Sequence, residues 1–160
     1  MKKEKVPKDA EAESLALRLL SNRDHSEEEL IQKLKARGFS EKEIGPTIQR
    51  LKALGFLSDS RYALELAARW AKKNLLSNAH IGQRLAQRGI AQDLIRKAML
   101  EAEGALPTAE RIQRLIERQR ARYLRPKNVK FPMNQFLLRR GFLPEEIGPV
   151  IDPEGGFQEE

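Results

Sequence analysis

Apolar residues along this chain recur at intervals of three and four, and no segment alternates apolar with polar positions as a half-buried strand would. The pattern therefore predicts helices. Leu15 and Leu19 form an i, i+4 pair, with Ala12 and Ala16 on the same side. Ser26-Glu27-Glu28-Glu29 reads as a capping box, its serine and Glu29 able to satisfy free amides at a helix start. Leu30, Ile31 and Leu34 then face inward, and Gly38 supplies the left-handed residue that ends the helix. Ser40 with Glu43 is a second capping box, followed by Ile44, Ile48 and Leu51 at helical spacing and by Gly55.

The same grammar returns twice. From Leu57-Ser58-Asp59, the residues Tyr62, Leu66 and Trp70 are spaced four apart; Ile81 and Leu85 lead into Gly89, and Leu94, Ile95, Ala98 and Met99 lead to Gly104. A third set starts near Thr108 with Ile112, Leu115, Ile116 and Tyr123. Met133, Phe136 and Leu137 run into Gly141, and Pro144 suits the first turn of a short last helix. Arg37–Ile48 (RGFSEKEIGPTI) and Arg140–Ile151 (RGFLPEEIGPVI) agree at eight of twelve positions, and Arg88-Gly89-Ile90 is a weaker third copy. The glycines at 38, 89 and 141 set a period of 51 and then 52 residues. This reading gives an all-α chain of three tandem three-helix repeats (10–56, 57–105 and 106–151), stacked as an elongated array. A basic extension (1–9) precedes them and an acidic tail (152–160) follows. Gly45-Pro46 and Gly148-Pro149 fall inside expected third helices. Since the capping signals at Ser40 and Pro144 precede them, a kinked helix is expected rather than a later start.

Composition thins the expected cores. Charged residues make up 33%, aromatic residues only 6%, and mean hydropathy is -0.60, so Leu, Ile and Ala must do most of the packing. Cysteine is absent, which removes disulfides and thiolate metal sites. The basic start Met1-Lys2-Lys3-Glu4-Lys5 already contains Glu4 and is followed by Asp9, Glu11 and Glu13, and Arg18 interrupts the run Leu15–Leu20, so no secretion-signal core is expected. No apolar stretch approaches the roughly 20 residues that a membrane helix needs. A cytoplasmic protein without membrane association, working as a monomer, is expected.

Net charge is +7, and its distribution matters more than its size. Between Arg111 and Lys130 lie eight basic residues and one acid, Glu117. Arg111, Arg114, Arg118, Arg122 and Arg125 rise by three or four, which puts them on one helix face opposite Ile112, Leu115 and Ile116. Such a ridge favours polyanionic or acidic partners. Arg84 and Arg88 form a similar pair, Arg139 and Arg140 adjoin the last repeat corner, and Arg61 and Lys72 add charge to the first two repeats. Arg37, Arg88 and Arg140 each precede a helix-ending glycine, where a cation offsets the helix dipole by about 0.3–1 kcal/mol.

Chemistry finds little foothold, and no enzyme is expected. His25 precedes a serine cap and His80 adjoins Ile81, so each reads as a solvated or packed side chain. HExxH, GxSxG and GxxxxGK[ST] are missing. Glu27-Glu28-Glu29 splay around a helix axis and serve the cap better than a metal, so neither metal nor cofactor is expected. Tyr62 and Trp70 share a stripe with Leu66, which suits core packing. Phe39, Phe56 and Phe142 each adjoin a helix-ending glycine, where contacts that pin helix ends account for them.

The repeats resemble those of the RecX family, regulatory proteins that bind RecA. The matching segments are His25-Ser26 through Glu29-Leu30, Lys33-Leu34 to Arg37-Gly38, Gly55-Phe56-Leu57-Ser58-Asp59 to Arg61-Tyr62-Ala63, Ile81 and Arg84-Leu85 to Gly89-Ile90, and Phe136–Phe142. The resemblance runs from about Ala10 to Ile151. It implies a curved array lying in the groove of the RecA–DNA filament, suppressing strand exchange and ATP hydrolysis in recombination and the SOS response without catalysis of its own. Two departures stand out. Leu75-Leu76-Ser77-Asn78 occupies a connector where a glycine is expected, and Asp152-Pro153-Glu154-Gly155-Gly156 truncates the last helix. The competing reading is a helical nucleic-acid-binding protein touching phosphates, single-stranded DNA among them, through its basic face. Against it, no repeat concentrates Arg, Asn and Gln at the start of one helix.

Overall fold

The computed structural model describes residues 8–123 and 130–153, and the side chains of these outside 120–132. Within them the chain is all-helical. It runs α1 (Lys8–Asn22), α2 (Glu27–Lys35), α3 (Glu41–Ala53), α4 (Asp59–Arg69), α5 (Asn78–Ala86), α6 (Gln92–Ala105), α7 (Thr108–Tyr123), α8 (Lys130–Arg139) and α9 (Pro144–Ile151), and no strand occurs among the described residues. A π-helical turn, Trp70–Asn74, extends α4.

Its contacts gather into two compact units. The first holds residues through Ala63 together with Leu85–Leu94. There α1 packs on α2 and α3 around Ala16, Leu30, Leu34, Ile44, Ile48, Leu51 and Leu57, with Leu15, Leu19 and Phe39 at the margin. The second holds Leu64–Arg84 and the described residues from Ile95 onward, where α7 packs on α8 and α9. Ile112, Leu115, Met133, Leu137, Phe142 and Ile147 are buried there. The stripe Tyr62, Leu66 and Trp70 is buried as its spacing predicts.

The helix-ending glycines behave alike. Gly38, Gly89 and Gly141 have φ of 86°, 74° and 76°, a region that side chains with a Cβ rarely enter. In each corner the next amide donates back across the helix end: Phe39 N to Leu34 O (3.3 Å), Ile90 N to Leu85 O (3.2 Å) and Phe142 N to Leu137 O (3.2 Å). The proline question resolves in favour of the capping signals, because α3 starts at Glu41 and α9 at Pro144 with Pro46 and Pro149 inside them. A glycine before each proline spares the clash that a Cβ would meet in helical conformation. Gly104 does not end α6, which runs on to Ala105 and stops where Pro107 follows.

Leu75 occupies the connector that was expected to hold glycine, and it is left-handed (φ 52°, ψ 44°). The conformation a glycine would serve is therefore present, carried by a residue that strains it by about 1–2 kcal/mol. Complete burial of the Leu75 side chain offsets that strain.

Candidate partner-binding surface

Helix α7 carries the basic ridge, and the structure divides it. Ile112 and Leu115 are buried, while Arg114 and Arg118 are exposed on the other side. Arg114 donates to Glu110 at 2.5 Å, an exposed i, i+4 pair worth little. Arg122 lies in the part of α7 whose side chains are outside the described set, and Arg125 lies outside the described residues altogether.

Arg111 was expected on this ridge, and the structure corrects that placement. Its side chain is 0% exposed. Nη1 donates to the Leu76 carbonyl at 2.6 Å, and Nη2 faces Glu103 Oε2 (2.6 Å), Thr108 Oγ (2.8 Å) and Asn78 Oδ1 (3.0 Å). Glu103 also accepts from the Thr108 amide (2.9 Å) and hydroxyl (2.6 Å), which caps the start of α7. Burial draws the Arg111 pKa down, offset in part by the Glu103 carboxylate. Burial alone would raise the Glu103 pKa, but the Thr108 and Asn78 donors and Arg111 hold it below its ordinary value. Helical phase alone could not reveal this, since Arg111 and Arg118 share a flank. What differs is cover: the connector through Leu76 and Asn78 lies over the first turn of α7 only.

The other expected binding residues are spread out. Arg139 is exposed, and Arg140, half-buried, sets its guanidinium 5.1 Å from the Phe136 ring centroid. Arg84 is exposed and sits 5.6 Å from the centroid of buried Trp70, and Lys72 is exposed on the π-helical turn. Arg61 is exposed and donates to the Gly55 carbonyl at 3.1 Å. Arg88, half-buried, lies 3.6 Å from Glu29 Oε1.

Glu29 thus does more than close a capping box. Besides the Ser26 amide (3.3 Å) it accepts from Arg23 Nη1 (3.3 Å) and the Tyr62 hydroxyl (3.1 Å). Burial by itself would raise its pKa, but Arg23, Ser26 and Tyr62 together hold the carboxyl below the usual range. Ser26 Oγ accepts from the Glu29 amide (3.1 Å) and donates to the Arg88 carbonyl (2.6 Å), and Asp59 Oδ1 accepts from the Glu27 amide (2.8 Å). Serine and acid at these positions were legible as caps; the long-range partners were not. His25 is a packed side chain, 4% exposed, with Nδ1 2.8 Å from the Arg23 carbonyl. Among the described residues no group of three or more His, Asp or Glu is placed to hold a metal ion, and no helix is long and apolar enough to cross a membrane.

Two exposed apolar residues, Leu100 and Leu54, lie outside the stripes that the spacing predicts, and a third, Phe56, differs from its expected place. Leu100 is 75% exposed on α6, Leu54 56%, and Phe56 52%. Phe56 was expected to pin a helix end as Phe142 does; instead it lines an open cleft with Leu17 and Leu20.

Known proteins agree with this architecture. A family model described as "RecX, first three-helix domain" matches residues 12–51. "Regulatory protein RecX" of Pseudomonas putida is 36% identical over 138 residues, covering 85% of this chain and 86% of that one. The same-named protein of Trichlorobacter lovleyi is 32% identical, covering 86% and 91%. A crystal structure of RecX from Lactobacillus salivarius superposes with a TM-score of 0.80 at 23% identity, covering 91% of this chain and 95% of that one, so it shares the fold. With this fold, these repeat corners and that identity along most of its length, the chain belongs to the RecX family of regulatory proteins.

Proposed function

We propose that the chain binds the RecA recombinase and the RecA–DNA filament, and inhibits its strand exchange and ATPase activity, so regulating DNA repair. Membership of the RecX family carries this reading. The protein acts by occupancy rather than catalysis, as a cytoplasmic monomer divided into three repeats at 10–56, 57–105 and 106–151. Exposed Arg114 and Arg118, continued by Arg122 and Arg125 and joined by Arg139, Arg140, Arg84, Arg88, Arg61 and Lys72, supply attraction to acidic protein surface and DNA phosphates. Arg111 leaves this set, because a buried side chain cannot meet a partner.

Titrating the protein into RecA-dependent ATP hydrolysis on single-stranded DNA tests the reading, and hydrolysis should fall in proportion to occupancy. Binding to DNA without RecA, with none to RecA without DNA, would favour direct phosphate contact instead. Changing Arg114, Arg118 and Arg122 together to Ala should leave the helical fold intact and weaken inhibition. It should also flatten the salt dependence, since exposed charges are screened within about 10 Å at 0.1 M.

A further inference from the structure

The three repeat corners share one local geometry, yet the described residues cover only two of them. At Gly89 an added Cβ would lie 2.5 Å from the Glu28 Cβ, and the preceding Arg88 carbonyl accepts the Ser26 hydroxyl at 2.6 Å. At Gly141 an added Cβ would lie 2.9 Å from Ser77 Oγ and 3.1 Å from the His80 ring. Ser26 and Ser77 are equivalent, 51 residues apart, and each accepts the amide three residues on (3.1 Å from Glu29, 3.2 Å from His80). Each covered corner therefore receives the serine-capped start of a helix, fitted so closely that a glycine is required there.

At Gly38 an added Cβ would meet nothing within 4 Å. Burial follows suit. Arg37 is exposed while Arg88 and Arg140 are half-buried, and Phe39 is half-buried where Ile90 and Phe142 are buried. Yet Gly38 has the same positive φ and its corner the same amide return. The sites of docking are thus built three times and, among the described residues, filled twice.

We propose that the Arg37–Gly38–Phe39 corner is a protein-docking surface that receives the serine- or threonine-capped N-terminus of a partner helix. The two filled corners define the shape of that occupant. Charge defines its first turn: the end of α2 presents Lys33 and Arg37 to solvent beside the negative pole of the helix, and at the Arg88 corner the chain itself sets Glu28 against Gly89 and Glu29 3.6 Å from Arg88. The occupant is a helix start with an acidic first turn. Resting on the function proposed above, that helix belongs to RecA in the filament.

Gly38→Asn separates docking from folding, because asparagine tolerates the left-handed conformation and open space surrounds the position. Fluorescence-detected binding to RecA filaments on single-stranded DNA should weaken about tenfold or more, as overpacking of a close joint does. The melting temperature should stay near that of the parent. Arg37→Glu should weaken binding too, by repelling an acidic first turn. Gly55→Asn, at another positive-φ glycine with open space (φ 75°), should change neither. A parent that fails to bind the filament overturns the proposed function and this docking site with it. A parent that binds, with Gly38→Asn binding equally well, overturns the docking site alone. Sedimentation showing a self-associated parent that Gly38→Asn dissociates would assign the corner to a second copy and overturn the RecA assignment.

Discussion

Each compact unit is tied by a polar joint, and the two joints are built in opposite ways. In the first unit a carboxylate, Glu29, sits at the centre, donors reach it from Ser26, Arg23 and Tyr62, and the Arg88 guanidinium lies 3.6 Å away. Its side chain keeps 20% of its exposure, so water shares the stabilisation. In the second unit a guanidinium, Arg111, sits at the centre at 0% exposure, and its partners are a carbonyl, an amide, a hydroxyl and one carboxylate. An acid ringed by donors tolerates the loss of one; a buried cation with a single carboxylate in hydrogen-bond contact does not. The first joint holds helix starts in register, whereas the second also clamps the connector that contains left-handed Leu75, through the Leu76 carbonyl.

The largest expected effect tests that contrast. Arg111→Ala should destabilise by about 3–5 kcal/mol, since it opens a cavity and leaves the buried Leu76 carbonyl and the Thr108 and Asn78 oxygens without their donor. Urea unfolding followed by circular dichroism measures it. Arg23→Ala, which removes one of several donors to Glu29, should cost less than about 1 kcal/mol. Losses of similar size would erase the distinction between the joints.

Next come the apolar cores on which the joints rest. Leu34→Ala and Leu85→Ala should each cost about 2–5 kcal/mol, as should Leu137→Ala, all three side chains being fully buried. Leu138→Ala, 45% exposed, should cost well under 1 kcal/mol. Equal losses at Leu137 and Leu138 would show that the phase of α8 is wrong.

The difference between the joints also explains what was legible in the sequence. Helix starts, the three glycine corners and the apolar stripes follow from local rules, so Ser26, Ser40, Gly38, Leu34 and Tyr62 could be placed from spacing alone. Arg111 could not. It lies on the same flank as Arg118, and only the chain folded over the first turn of α7 distinguishes them. Phe56 misled for the matching reason: a phenylalanine beside a helix-ending glycine is buried at Phe142 and bare at Phe56, and spacing does not say which corner has a neighbour. Leu75 stands where a glycine is expected, and the left-handed conformation it adopts is the reason.

Ser26→Ala should cost about 1–2 kcal/mol, intermediate between the clamp and a surface pair. The hydroxyl both caps α2 and satisfies the Arg88 carbonyl, so its removal breaks a local and a long-range bond together. Ser40→Ala should cost less, because Glu43 still accepts from the Ser40 amide (2.6 Å) once the hydroxyl is gone. Thermal melts of the two variants side by side measure the contribution of the long-range bond.

The smallest effect is a dependence on pH, and it separates Glu29 from its neighbour His25. The folded pKa of Glu29 lies below its ordinary 4.5, so its contribution to stability is complete above that value and lost as pH falls through the folded pKa. His25 is also lowered, below 6.5, because burial disfavours the imidazolium and the Arg23 backbone contact offsets this only in part. Its stabilising neutral form is therefore complete above 6.5 and lost as pH drops from there toward the folded value. Urea midpoints measured from pH 7.5 downward should fall in two stages. His25→Gln should flatten the upper stage and leave the lower, while Glu29→Gln should flatten part of the lower stage, with Glu103 and Glu43, also lowered, adding to it and Asp59, raised by burial, opposing it. If Glu29→Gln leaves the acid limb as steep as in the parent, the carboxylate at the centre of the first joint is not preferentially charged in the fold. The contrast with the Arg111 joint would then rest on burial alone.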